Sequence, residues 1–149
     1  MERIVPDGVF DYIHEQAQNH SLQPTEGDCA EIALAIDEVF GGRYGGEIQG
    51  VFTPDERTPL HFAVALSDGT IVDGLGLRTE AELLDEFDIP PEKGEIRPVF
   101  PEDVEQYVQW SLFDRLVQKF ETIHQNKITS NNTDHQKRTN QTERTTHVV

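Results

Sequence analysis

Apolar residues recur along this chain with two different periods, which predict both helices and strands. Apolar positions three to four residues apart predict helices over residues 6–20, 28–42, 79–87 and 101–124. Short apolar or alternating runs next to turn residues predict strands over residues 46–53, twice within 61–74, and over 95–100. We therefore expect an α+β domain, in which N-terminal helices and a C-terminal helix pack on a short antiparallel sheet.

The apolar pattern ends before the chain does. After His124, Asn, Thr, Gln and Lys replace the apolar residues, and such a segment cannot bury enough apolar surface to fold. A chain of 149 residues is long enough for one domain with its own core. We predict a single domain over residues 1–124 and a polar, disordered tail over 125–149.

The charge is strongly acidic and narrows the choice of partner. The sequence has 28 acidic and 12 basic residues, a net charge of −16. Binding to nucleic acid through phosphates needs stripes of Lys and Arg, so we expect no nucleic-acid partner. An evenly spread acidic surface is typical of a halophilic protein, in which salt screens the self-repulsion. It also fits an acidic interaction protein that binds a basic partner.

The cellular setting is predicted from what the sequence lacks. No apolar run reaches the roughly 18 residues that a membrane-spanning helix needs, and the first residues do not have the pattern of a signal peptide. The single cysteine, Cys29, excludes a disulfide framework. We expect a cytoplasmic protein without a membrane partner, and the oligomeric state is left open.

Cys29 stands where a helix is predicted to begin. Asp28 is the expected N-cap, and Glu31 is its expected partner in a capping box. A helix N-terminus favours a thiolate, although the carboxylates of Glu26, Asp28 and Glu31 oppose it. A nucleophilic cysteine at this position therefore needs a histidine beside it; a buried, inert cysteine does not.

His61 and Asp73 can supply that histidine and its orienting group. A three-residue loop at Ser67–Gly69, with Gly69 left-handed, would pair Val64 with Val72 and keep the large apolar residues on one face. His61 and Asp73 then share the other face at hydrogen-bonding reach. Because Ala63 and Ala65 on that face are small and leave room for a helix, we expect the Cys29 helix to pack against it.

The order Cys29, His61, Asp73 resembles the papain-like and transglutaminase-like superfamily of cysteine enzymes. The resemblance covers about residues 23–76 and includes Gln23, six residues before the cysteine. It implies a small papain-like core in which Cys29 is the nucleophile, His61 the general base and acid, and Asp73 the residue that orients the imidazole. It also implies that Gln23 and the Cys29 N–H bind the oxyanion. Ala30 departs from the family pattern, in which papain-like peptidases carry an aromatic residue.

Two classes of function follow. The first is a thiol-dependent hydrolase or acyl transferase that acts on an amide bond of a protein or peptide: a peptidase, a deamidase or a transglutaminase-like enzyme. The second is a non-catalytic acidic interaction protein, either a degenerate papain-like fold or a charge mimic. His14, His20, Cys29 and His61 lack the spacing of a zinc site, so we expect no metal and no cofactor.

Overall fold

The structure is a computed structural model that describes residues 4–24, 27–41, 47–53 and 58–137, with side chains as far as residue 126. Within these ranges it is an α+β domain with one five-stranded antiparallel sheet. The helices are α1 (Asp7–Gln18), α2 (Cys29–Ile36), α3 (Glu80–Glu86), α4 (Pro101–Glu105) and α5 (Trp110–Lys137). The strands are β1 (Glu47–Phe52), β2 (His61–Ala65), β3 (Ile71–Asp73), β4 (Gly76–Arg78) and β5 (Glu95–Pro98).

The sheet has the strand order β4-β3-β2-β1-β5, and every neighbouring pair is antiparallel. The short β4 was not predicted, because three residues bounded by glycine give no readable alternation. β5 pairs only with β1, as expected for an edge strand that contains Pro98. The strand that carries His61 therefore lies at the centre of the sheet.

α2 is the central helix of the core. Every one of its residues is buried, since it packs on the sheet on one side and against α5 on the other. Its mean hydropathy is high, as expected for a helix that other elements cover on every side. A π-helical turn over Asp37–Gly41 ends it. Gly42, the last residue of the predicted helix, lies outside the described residues.

The two faces of the sheet carry separate apolar clusters. Phe62, Val64 and Val72 belong to the larger cluster, together with α2 and the buried positions of α1 and α5. Ala63 belongs to the smaller cluster, with Leu83 and Leu84 of α3. The expectation that the Cys29 helix covers the face of Ala63 was wrong: α2 belongs to the cluster on the face of the large side chains, and α3 covers the other face.

The long helix predicted over 101–124 is two helices. Pro101 opens α4 as predicted, but the helix ends at Glu105 and α5 begins at Trp110. The backbone N–H of Gln109 donates to Glu31 Oε2, 2.9 Å away, instead of continuing the helical ladder. A partner on α2 therefore interrupts a helix whose own apolar pattern is continuous.

α5 continues through the predicted boundary at residue 124 and ends at Lys137. Extending an existing helix costs far less than starting one, so polar residues can be helical here without a buried face. Residues 138–149 of the predicted tail lie outside the described part of the chain. Of the helices described, none combines the length and apolarity that crossing a membrane requires.

Candidate active site

Cys29 is the first residue of α2; it is not in a disulfide and is only 8% exposed. The predicted capping box is absent. The Asp28 side chain makes no capping bond. Its Oδ2 instead accepts a hydrogen bond from the Gln23 N–H at 2.8 Å, while the Glu31 carboxylate accepts from the Gln109 N–H. The Asp28 N–H in turn donates to the Gln23 carbonyl at 3.0 Å. These two bonds close the loop before Cys29 and hold the start of α2.

Gln23 itself is exposed at the entrance to that loop. A methyl group added at Gly27 would lie 3.2 Å from Gln23 Oε1, so the amide lies over the turn that leads into Cys29. This places Gln23 close to the helix start, while its role as an oxyanion donor stays a prediction. Glu26, one of the carboxylates expected to oppose a thiolate, lies outside the described residues.

The hairpin of β2 and β3 has the predicted register. Val64 pairs with Val72 and Ala65 with Ile71, and Gly69 has φ +89 in the intervening turn. His61 and Asp73 are both 1% exposed, and His61 Nε2 lies 2.9 Å from Asp73 Oδ2. The pairing of these two side chains, predicted from the hydrophobic pattern alone, is confirmed.

Asp73 has two further partners that the sequence did not reveal. Its Oδ1 accepts from the Leu75 N–H at 2.9 Å, and its Oδ2 accepts from Arg78 Nη1 at 3.4 Å. A carboxylate removed from water is stable only when its oxygens are hydrogen-bonded. The turn after β3 and the unpredicted strand β4 therefore complete the surroundings of this group.

The environment of His61 favours its protonated form. Burial lowers the pKa of the imidazole, but hydrogen bonds with Asp73 and Cys29, together with the charges of both, outweigh burial and raise it to about 9. Because Asp73 occupies Nε2, Nδ1 is the nitrogen left to face the thiol; it is buried and has no nitrogen or oxygen partner within the described ranges. The ring of Phe87, just after α3, packs against the imidazole at 5.1 Å.

Cys29 and His61 meet at one end of the sheet. His61 is the first residue of β2, Asp73 is the last of β3, and Cys29 is the first of α2. Gly74 makes this approach possible, since a methyl group there would lie 2.8 Å from Pro24 Cβ and 3.4 Å from Ile32 Cδ1. The helix N-terminus can thus reach the end of the hairpin although the body of α2 packs on the opposite face.

His14 and His20, the other histidines considered in the sequence, are not among the partners of His61. His14 lies on α1 and His20 just after it, with φ 61. A search of the described residues finds no group of three or more His, Cys, Asp or Glu side chains placed to hold a metal ion. Two surface cavities, of about 260 and 480 Å³, lie beside β5 and α4, and neither is lined by Cys29, His61 or Asp73.

Comparison of the chain with protein-family models, with curated proteins and with solved structures gives no match.

Proposed function

We propose that this protein is a thiol-dependent hydrolase or acyl transferase of papain-like or transglutaminase-like type, acting on an amide bond through Cys29, His61 and Asp73. The observation that carries the proposal is the position of His61 between a carboxylate on Nε2 and the thiol of Cys29, with the imidazole pKa raised to about 9. At neutral pH this favours an imidazolium beside Cys29, which suits a cysteine nucleophile, whose reactive form is the thiolate.

The first half of the reaction forms a bond between Cys29 Sγ and the substrate carbonyl carbon. The oxygen of that carbonyl becomes an oxyanion, and the backbone N–H of Cys29, at the start of α2, is the first proposed donor to it. The Gln23 amide is the second proposed donor. As the C–N bond breaks, His61 gives its proton to the departing amine, leaving a thioester and a neutral imidazole.

The second half releases the acyl group. Neutral His61 takes a proton from water or from an amine, which attacks the thioester carbonyl; the C–S bond breaks and the thiolate is restored. Water gives a carboxylic acid, as in a peptidase or deamidase, and an amine gives a new amide, as in a transglutaminase. Asp73 keeps the imidazole in one orientation during both halves.

The pH dependence of thiol alkylation tests the pairing directly. Iodoacetamide should label Cys29 well below pH 8 in the wild-type protein, because the thiolate persists beside the imidazolium. His61→Ala should move labelling to the alkaline range of an ordinary thiol, and Cys29→Ser should abolish it. Unchanged low-pH labelling in His61→Ala would refute the proposed function.

The acidic composition favours a second candidate, a non-catalytic protein that binds a basic partner. With 28 acidic and 12 basic residues, the protein carries enough net negative charge to attract such a partner. The two candidates differ in their response to salt and to Cys29→Ala. Binding of a poly-lysine peptide by a charge mimic should weaken steeply between about 0.1 and 1 M salt and ignore Cys29→Ala, whereas acylation by an amide substrate should tolerate salt and vanish in Cys29→Ala.

A further inference from the structure

Arg78, the last residue of β4, bridges the candidate site and α3. Its side chain is 10% exposed and donates to three acceptors. Nη1 contacts Asp73 Oδ2 at 3.4 Å, and Nη2 contacts both the Glu82 carbonyl and Glu86 Oε1 at 3.2 Å. The guanidinium therefore reaches the same carboxylate oxygen that bonds His61.

We propose that Arg78 is a positioning residue of the site, which neutralises part of the Asp73 charge and fixes the carboxylate against His61. This inference rests on the proposed function, because the pairing of Cys29 with His61 is what Arg78 would tune. Arginine suits this position better than lysine, since its planar group can serve several acceptors in a fixed geometry.

The charges of the buried groups balance only when Arg78 is counted. With Cys29 and His61 as an ion pair, the thiolate and Asp73 carry two negative charges, and the imidazolium carries one positive charge. Arg78 supplies the second positive charge, at the Asp73 side. Without it the cluster keeps an uncompensated negative charge, which stabilises the imidazolium and disfavours the thiolate.

α3 fixes the other end of Arg78. Thr79, directly after Arg78, forms a complete capping box with Glu82, and this sets the position of the Glu82 carbonyl. Glu86 lies one turn further along the same helix face. Phe87, which follows, contacts the His61 ring. One short helix thus holds both the arginine and the imidazole.

The charged or titratable groups around His61 come from four elements of the described structure. Cys29 of α2 and Asp73 of β3 contact the ring. Arg78 of β4 acts through Asp73, and Glu86 of α3 acts through Arg78. The expected effect of each substitution follows from this chain of contacts.

The test is the titration of His61 by NMR and the alkylation of Cys29 by iodoacetamide, each as a function of pH. Arg78→Gln should raise the His61 pKa by about 0.5 to 1 unit and slow alkylation below pH 7 by roughly threefold to tenfold. Arg78→Lys keeps the charge and should lie between Arg78→Gln and wild type in both measurements. Glu86→Gln is the matched comparison: it keeps the guanidinium but frees it from Glu86, so it should lower the His61 pKa, the opposite direction to Arg78→Gln.

The outcomes separate the two proposals. If Arg78→Gln unfolds more easily but keeps the wild-type His61 titration and alkylation profile, Arg78 is only structural and the inference is overturned. If Arg78→Gln does not fold, Glu86→Gln decides, since a guanidinium freed from Glu86 should screen Asp73 more and lower the His61 pKa; an unchanged or raised value overturns the inference. Failure of the proposed function is recognised separately, by His61→Ala leaving alkylation unchanged.

Discussion

Glu31 and Gln109 are joined by a hydrogen bond of 2.9 Å, from the backbone N–H of Gln109 to Glu31 Oε2, although they are 78 residues apart in sequence. Glu31 is 1% exposed. The bond ties the helix that begins with Cys29 to the start of α5, and it gives one oxygen of a buried carboxylate a hydrogen-bond donor.

Glu31→Ala should therefore destabilise the protein by about 1–3 kcal/mol, because it removes a hydrogen bond between a carboxylate and a backbone N–H. Glu31→Gln keeps an acceptor oxygen and should cost clearly less. Urea denaturation of both variants measures the difference. Equal losses in the two variants would show that the side-chain volume, and not the hydrogen bond, matters here.

Asp37→Asn should stabilise the protein at neutral pH. Burial, together with the neighbouring Glu38 carboxylate, raises the pKa of Asp37, and its Oδ1 has no partner in the described part of the molecule. A raised carboxyl pKa means that ionisation opposes folding, so the benefit of Asn should be present at pH 7 and disappear below about pH 4. Thermal unfolding of the wild type and the variant across this pH range checks the prediction. Glu38→Gln, at an exposed position, is the control and should stabilise the protein less.

His61 should make stability depend on pH between about 6.5 and 9. Its pKa is raised in the folded protein from 6.5 to about 9, so its protonation stabilises the fold below pH 6.5 and the gain is lost as the pH rises through 9. The wild-type free energy of unfolding should fall across this window, by a few kcal/mol at most. His61→Gln should lack this component; identical pH profiles of the two proteins would contradict the protonation assigned to His61.

Gly74→Ala should separate the Cys29 end of α2 from the hairpin, because the new methyl group would lie 2.8 Å from Pro24 Cβ. We expect lower stability and slower low-pH alkylation of Cys29. Gly69→Ala is the matched control. It is strained by its φ of +89 but meets no atom within 4 Å, so it should lower stability by about 1 kcal/mol and leave the alkylation profile unchanged.

Removing residues 125–149 should leave the melting temperature within about two degrees of wild type, because the removed segment offers little apolar surface. Among the side chains that the structure describes, which run to residue 126, the last contacts with the core come from Phe120, Ile123 and His124. Phe120 is fully buried, and the His124 ring meets Phe40 edge-on at 5.4 Å. Removing residues 120–149 instead should destabilise the protein severely. A large loss from the shorter truncation would place the domain boundary later than residue 124.

The parts of the site that could be predicted are those set by local pattern. The His61–Asp73 pair follows from hairpin register, which depends on residues within 12 positions of one another and on keeping Val64 and Val72 on one face. The capping box of Thr79 and Glu82 is equally local, since its two residues are three positions apart. Local rules suffice where the partners are neighbours in sequence.

The parts that were missed depend on distant partners. The break before α5 accompanies the hydrogen bond from the Gln109 N–H to Glu31, which also withdraws Glu31 from the predicted capping box. The other half of that box fails locally, because Asp28 accepts from the Gln23 N–H. The face on which α2 packs is decided by the fit of whole layers, and Ala63 alone could not reveal it. Arg78 would have been found only by recognising β4, a strand of three residues next to Asp73.

The separation of the site residues along the chain bears on the order in which the site forms during folding. His61 and Asp73 belong to one hairpin, and hairpins of this kind close in about 1–10 μs. Cys29 belongs to a helix that must dock from elsewhere in the sequence, at a higher cost in loop-closure entropy. The imidazole and carboxylate can therefore associate before the thiol arrives, so under the proposed function a nascent or partly folded chain would carry a cysteine that is not yet paired with His61.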